Sequence, residues 1–407
     1  MPSFFNSISL HPADSLFGVN KACKEDPNEA KINLTVGAYR DDNGHPMVLS
    51  SVRQAERIIF DQQLDHEYLP LEGLKEFTKL NAQLVFGDNS SAIAAGKVGS
   101  IQCISGTGSL RLAGELCRLV FPNNTIYIPN TTWANHTNIF RQCGIQQATY
   151  RYLDSTGLAL DFEGLIQDLS EAPEGSIVLL HMVAHNPSGV DPTHQQWHAI
   201  RDVIKDRHLL PIVDNAYQGF VQDVDTDAFS VRLLSESGID LMVTTSCSKN
   251  FGLYNERAGC LHVQTQSPEE CERVLSHLAA LSRTLVSNCP AYGARIVTTI
   301  LSDPTLKSQW LNECSEMASR IRNMRSMLLE AIKRHNTPGN WDHIVSQQGM
   351  FSFTGIPPAV VEVLQKKHHI YMLANGRISL AGLNTKNVDR FAGALAEALG
   401  EYTAAQS

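Results

Sequence analysis

The sequence predicts an α/β fold, with a mostly parallel seven-stranded sheet in a large unit and a smaller α+β unit after it. Three observations carry that prediction. Seven short β-branched or apolar runs fall between about residue 97 and residue 265, and most of them alternate with helix-compatible stretches. Beyond Asp303 the rhythm stops and one long amphipathic segment takes over.

The strand candidates, in order, are KVGSIQCIS, TIYIP, QQATYRYL, SIVLLHMVAH, LLPIVD, LMVTTSC and GCLHVQT. LRLAGELCRLVF and THQQWHAIRDVIKDRH supply helices between them. In open sheets of this kind ligands collect beyond the carboxyl ends of the strands. SGTG, AHNPSG, DNAY and SCSK all stand there. Asp303-Pro304 supplies a cap and a first helical position. Leu306, Trp310, Cys314, Met317, Ile321, Met324 and Leu328 then recur three or four residues apart. That spacing predicts one helix of about eight turns running to His335, where TPGN breaks it. Strand-like GMFSFTGI, IYML and GRISLAGL follow, then a final helix from about Asn387 to Leu399.

At 407 residues the chain is long enough to bury a substantial core in one or two domains. Its 33 basic and 42 acidic side chains leave a net charge of -9, which is no footprint of nucleic-acid binding. Nine cysteines without a CxxC pair fit reduced thiols better than a disulfide framework, and argue against zinc or another metal. The first twenty residues hold no Lys or Arg, so neither a signal-peptide n-region nor an Arg-rich transit peptide is expected. No apolar run approaches the roughly 20 residues of a membrane helix. A cytoplasmic protein with no membrane contact is the expectation.

The residues after the strands carry the chemistry. SGTGSLR, Ser105 to Arg111, ends a strand and opens a helix. Its amides and hydroxyls suit a phosphate at the positive helix end, although a glycine turn also serves as plain punctuation. Asp214 ends LLPIVD, where a buried carboxylate must find a partner or be neutralised; a helix cap or a salt-bridge acid is the plainer alternative. His181 is placed either to hydrogen-bond that acid or to be satisfied by backbone in the core. Asn186-Pro187 is a candidate cis turn. Tyr217, three residues after Asp214, is a site residue or core packing. SCSKNFGLYNERAG sets Lys249 just past the buried run DLMVTT, where desolvating an ammonium is costly. A lysine, a buried acid, a phosphate loop and further hydroxyls at one sheet edge are what a phosphorylated aldehyde held as a Schiff base demands. Pyridoxal phosphate is that cofactor.

SCSKNFGLYNERAG, VDNAYQGF, HNPSGVDPT, SGTGSLR, HEYLPLEGL, TVGAYRDD, RTLVSNCP, GMFSFTG and NGRISLAGL are spread across nearly the whole chain. Together they resemble the aspartate aminotransferase group of the class I pyridoxal-phosphate-dependent aminotransferases, fold type I. The resemblance implies an N-terminal arm at 1–12 that contacts a partner subunit, a small domain from 13–45 and 317–407, and a large cofactor-binding domain at 46–316. It implies ping-pong transfer of the amino group of L-aspartate to 2-oxoglutarate, giving oxaloacetate and L-glutamate. Lys249 would hold pyridoxal 5'-phosphate as a Schiff base and act as general acid and base. Asp214 would pair with the pyridine nitrogen, with His181 orienting it. Asn186 and Tyr217 would hydrogen-bond the phenolic oxygen, and Trp133 would stack on the ring. The phosphate would rest on Ser105, Gly106, Thr107, Ser246, Ser248 and Arg257, with Tyr68 reaching in from the partner of a homodimer.

By the same resemblance Arg377, assisted by Gly37 and Asn186, would grip the α-carboxylate of the substrate, while Arg283 of the partner subunit would hold the distal one. Val19 and Phe351 would line the closing site. Three positions depart from the pattern: Thr131 where the family commonly has Pro, Ser188 in NPSG for the commoner Thr, and Cys247 where an aromatic is usual. Thr131 leaves open whether the Asn130-Thr131 bond is cis. A broad-specificity aminotransferase that also uses aromatic amino acids is the alternative reading. A decarboxylase or lyase on the same scaffold shares the first chemical steps. A nonenzymatic binding protein is disfavoured because Lys249, Asp214, Arg283 and Arg377 all stand, and a dehydrogenase because the full GxGxxG spacing is missing.

Overall fold

Each of the seven runs forms a strand of one sheet: β1 Val98–Ile104, β2 Thr125–Pro129, β3 Gln146–Tyr150, β4 Ile177–His181, β5 Leu210–Asn215, β6 Leu241–Thr245 and β7 Ala258–Gln264. The structure, a computed structural model, describes residues 3–12 and 14–406. Positions 1 and 2 of the expected arm, residue 13 at the start of the expected small domain and residue 407 at its end lie outside the described residues.

The strand order is β1-β7-β6-β5-β4-β2-β3. All neighbours run parallel except β7, which is antiparallel to both β1 and β6. The reversal has a local cause. Residues 246–257 between β6 and β7 hold no helix, so the chain lacks the crossover that a parallel return requires. Strands β4, β6 and β7 are buried along their whole length, as expected of strands covered by helices on both faces. Register then fixes the working edge: His181 pairs with Asp214, and Asp214 with Thr244.

The long helix runs Pro304–Arg334, and Asp303 caps it by accepting from the amides of Thr305 and Leu306 at 2.8 and 3.0 Å. All seven apolar positions expected to face inward are buried. The two ends of the chain meet beyond it. Ile32–Asn33 pairs in parallel with Ile370–Tyr371, and Phe351–Phe353 pairs antiparallel with Arg377–Ser379. The last helix, Val388–Ala404, continues past the expected Leu399, and Thr403 Oγ1 bonds the Leu399 carbonyl at 3.0 Å. No described helix is long and apolar enough to cross a membrane. The nine cysteines are free and buried.

Candidate active site

A cavity of about 190 Å³ opens at the carboxyl edge of the sheet, where β4, β5 and β6 end and the two chain ends fold over them. Its floor is Asp214, the penultimate residue of β5. One carboxylate oxygen accepts from His136 Nε2 at 3.1 Å and the other from Thr244 Oγ1 at 2.9 Å. Burial works to raise its pKa, but the hydrogen bond and charge of His136, then His181 and Thr244, outweigh burial and hold the carboxyl below its ordinary value. Asp214 is therefore an ionised acid at the bottom of a pocket.

His181, expected to contact that acid, does not hydrogen-bond it. Its Nε2 pairs with Thr132 Oγ1 at 2.7 Å, and the same hydroxyl meets His136 Nδ1 at 2.8 Å. His181 thus reaches Asp214 only through Thr132 and His136. Burial, then the neighbouring His136, pushes its pKa down to about 3, so it stays neutral. His136 is the residue the sequence reading missed. Its signal was available in TTWANH: the helix Ala134–Gln142 starts just after Trp133 and sets His136 within its first turn.

Lys249 projects into the same cavity from the β6–β7 connection, its nitrogen 4.8 Å from the centroid of the Tyr217 ring. Burial lowers its pKa to about 8; Asp214 opposes the shift and the Arg257 charge adds to it. A side chain that is almost wholly protonated on a surface is here about one-tenth free amine at pH 7 and about half at pH 8. Tyr217 is buried, and burial raises its phenol.

Beside the lysine lies a cup of hydroxyls. Ser105 Oγ is 2.9 Å from Ser246 Oγ and 3.0 Å from Ser248 Oγ, and Arg257 Nη1 reaches Ser248 Oγ at 3.5 Å. The helix Ser105–Val120 begins in this cup with no side-chain cap, so its first amides are available to an anion. Ser105 and Arg257 both take left-handed backbone, at φ 63° and 54°. Such residues cost about 1 kcal/mol or more each and mark a site whose surroundings hold them in place. Gly259 permits the close approach, because a Cβ there would stand 2.3 Å from the Thr245 carbonyl oxygen. Gly106 and Thr107 complete the rim.

The opposite wall comes from the chain ends. Arg377 is buried; its Nη2 donates to the Thr35 carbonyl at 2.6 Å and its Nη1 to Asn186 Oδ1 at 3.3 Å, while Nε has no partner. Burial lowers it to about 10, against Tyr217, which raises it. Its guanidinium lies 4.2 Å over the Phe351 ring. Gly37 abuts the same ring so closely that a Cβ would come 2.5 Å from Phe351 Cζ. Trp133 lines the cavity and meets His136 edge to face at 5.2 Å. Among the described residues Asn186-Pro187 is the one cis peptide, so Asn130-Thr131 is trans. Leu16, not Val19, supplies the N-terminal apolar lining.

Residues 29–395 match the family described as aminotransferase class I and II. The chain belongs to that family. Aspartate aminotransferase 1 of Medicago sativa is 46% identical over 395 residues, covering 97% of this chain and 94% of the relative. The mitochondrial aspartate aminotransferase of Gallus gallus is 46% identical over 403 residues, covering 98% and 94%. Among solved structures, the cytoplasmic aspartate aminotransferase of Saccharomyces cerevisiae superposes with a TM-score of 0.95 at 43% identity, over 98% of this chain and 99% of that one. An aromatic-amino-acid aminotransferase of Burkholderia pseudomallei, covalently bound to pyridoxal phosphate, gives 0.95 at 38%, over 98% and 100%. The fold-type I sheet expected from the sequence is the one observed.

Two of the aminotransferase residues expected at the site are not in this cavity. Tyr68 is 81% exposed. Arg283 is exposed too, its Nη1 donating to Ser287 Oγ at 2.6 Å.

Proposed function

We propose that this aminotransferase moves the amino group of L-aspartate to 2-oxoglutarate, releasing oxaloacetate and L-glutamate, with pyridoxal 5'-phosphate bound covalently through Lys249. The observation that carries the proposal is the placement of a lysine with a depressed pKa between an ionised Asp214 and the serine cup, facing the partly unpaired Arg377 across one cavity.

The residues fit the cofactor. Three hydroxyls, an uncapped helix start and Arg257 suit a doubly charged phosphate; Asp214 suits a protonated ring nitrogen at the other end; the amine lies between. When bound, the cofactor supplies an electron sink for the pair left behind as the substrate Cα–H bond breaks. Lys249, freed when the substrate amine takes its place, would be the amine that carries that proton. Asp214 would keep the ring nitrogen protonated, and His136 and Thr244 keep Asp214 ionised. Asn186 and Tyr217 would donate to the phenolic oxygen, and Trp133 would cover the ring. Arg377 and Gly37 orient the α-carboxylate. The Nε of Arg377, buried without an acceptor, gains one when that carboxylate arrives.

The homodimer belongs to the proposal. Tyr68 and Arg283 are exposed and lie outside this chain's cavity, as residues given to a neighbouring site would be. In the assembly the partner subunit's Tyr68 reaches the phosphate and the partner subunit's Arg283 holds the distal carboxylate. Phe4 and Leu10 of the arm, 96% and 97% exposed, are apolar surface for that partner to cover. The division into a domain at 46–316 and one from 13–45 with 317–407 is supported by the pairing of Ile32–Asn33 with Ile370–Tyr371. Closure of the smaller domain over bound substrate expels water. A cytoplasmic location is part of the same reading, with relatives named for the cytoplasm in Oryza sativa and Dictyostelium discoideum.

A coupled assay with aspartate and 2-oxoglutarate tests the reaction. Lys249→Ala should lose at least about a thousandfold in kcat. Borohydride reduction of cofactor-loaded protein should tag the peptide bearing Lys249, and an untagged peptide overturns the proposal. The aromatic aminotransferase of similar fold favours a second reading, broad specificity. Equal kcat/KM for aspartate and phenylalanine would establish it.

A further inference from the structure

Gly37 sits in a short segment whose two flanks are each held by one hydrogen bond from elsewhere in the molecule. On the N-terminal side, the carbonyl of buried Thr35 accepts from Arg377 Nη2 at 2.6 Å. Thr35 is itself fixed, its amide and hydroxyl both donating to Asn33 Oδ1 at 3.0 and 2.6 Å. On the C-terminal side, the amide of Tyr39 donates to the hydroxyl of Tyr254 at 2.8 Å. Tyr254 belongs to the β6–β7 connection that also carries Ser248, Lys249 and Arg257, and its own carbonyl accepts from Arg257 Nη1 at 2.8 Å. It does not line the cavity.

We infer that Tyr254 is a positioning residue: its hydroxyl ties the segment that presents Gly37 and supports Arg377 to the loop that presents the lysine and the cup arginine. The inference rests on the aminotransferase reading above, in which Gly37 and Arg377 receive the α-carboxylate. Three features of the geometry support it. The hydrogen bond joins the N-terminal segment, which pairs with the C-terminal strand Ile370–Tyr371, to a loop of the large sheet, so it spans the two parts of the molecule that form the cavity. Gly37 has no slack on its other side, because the Phe351 ring lies against it and also under Arg377. A shift of the segment therefore moves Gly37, Phe351 and Arg377 together. Burial pushes the Tyr254 phenol up to about 12, so it remains a neutral hydroxyl that accepts from the Tyr39 amide throughout the working pH range.

Removing the hydroxyl leaves the backbone carbonyl that holds Arg257 in place. The effect should fall on the substrate carboxylate and spare the cofactor. Tyr254→Phe holoenzyme should show KM for both aspartate and 2-oxoglutarate raised about tenfold, the size of one well-placed hydrogen bond, with kcat changed by less than about threefold. Cofactor retention on dialysis, the absorbance of the bound cofactor and Tm should match wild type.

Arg377→Lys alone, and combined with Tyr254→Phe, supplies the second measurement. If both side chains act on the Thr35–Tyr39 segment, the double variant's KM rises by clearly less than the product of the single effects. Three outcomes overturn the inference: KM within twofold of wild type, loss of cofactor in step with activity, or strict multiplicativity in the cycle. Inactive wild type on aspartate would sink the function reading instead, and active wild type with unchanged Tyr254→Phe would sink this inference alone.

Discussion

The two walls of the cavity are built by different rules. On the sheet side, the carboxylate of the floor and the hydroxyls of the cup have partners within the chain: both oxygens of Asp214 are engaged, and Ser105 meets two other serines. On the side made by the chain ends, Arg377 keeps a buried donor without an acceptor and leans on an aromatic face. The first wall is organised before anything binds. The second is left short of one acceptor, and an unpaired buried donor costs roughly 1–3 kcal/mol until a ligand meets it. The contrast assigns permanent binding to the sheet and transient binding to the chain ends, which is what an enzyme with a resident cofactor and exchanging substrates requires.

The largest expected effect comes from disturbing the sheet wall. Asp214→Asn keeps the shape and both neighbours but removes the charge. It should lower kcat by about a thousandfold, within the range for loss of one acid–base partner, while KM for 2-oxoglutarate moves by only a few-fold. A kcat within tenfold of wild type would mean that the floor does no more than pack. Arg283→Leu sharpens the contrast from the other direction, since that residue contacts neither wall of its own chain. Under the dimer reading it should cut kcat/KM for aspartate about a hundredfold, as loss of a charged hydrogen-bonded pair does, and leave kcat/KM for phenylalanine nearly unchanged. An unchanged aspartate value would remove Arg283, and with it the shared site, from the mechanism.

The same contrast explains what could be read from sequence. Ser105, Asp214, Ser246 and Lys249 each follow an apolar run, so strand prediction alone puts them at one edge. Their chemistry then follows from residue type. His136 escaped because its contact to Asp214, 78 residues away, depends on strand order. His136 follows β2 and Asp214 stands next to last in β5, with β4 between them, so the histidine must reach past the end of β4; that strand's own histidine turns to Thr132. No periodicity encodes that order. On the far wall GMFSFTGI, IYML and GRISLAGL read as strands, but their partners and the roles of Gly37 and Arg377 came only through resemblance. Ile32–Asn33, the partner of Ile370–Tyr371, is a two-residue strand too short for any pattern, yet that pairing is what brings Thr35 to Arg377. Leu16 in place of Val19 is a shift of about one turn along a shared helix face, since the two stand three residues apart on Ser15–Glu25.

The smallest predicted effect concerns the lysine in cofactor-free protein. In the proposed function its neutral form is the nucleophile that captures the aldehyde, so the rate of cofactor attachment should track the deprotonated fraction. Burial, opposed by Asp214 and assisted by Arg257, puts the pKa at about 8 instead of the ordinary 10.5. A lowered lysine pKa moves the neutral form to lower pH. Attachment followed by absorbance should accelerate by roughly tenfold per pH unit below that value and level off above it. In Asp214→Asn the carboxylate that favours the ammonium is gone, so the plateau should begin at lower pH than in wild type. An attachment rate that keeps climbing to pH 10 would show that Lys249 is solvated like a surface lysine. The sheet wall would then not be the dry, prearranged half of the site.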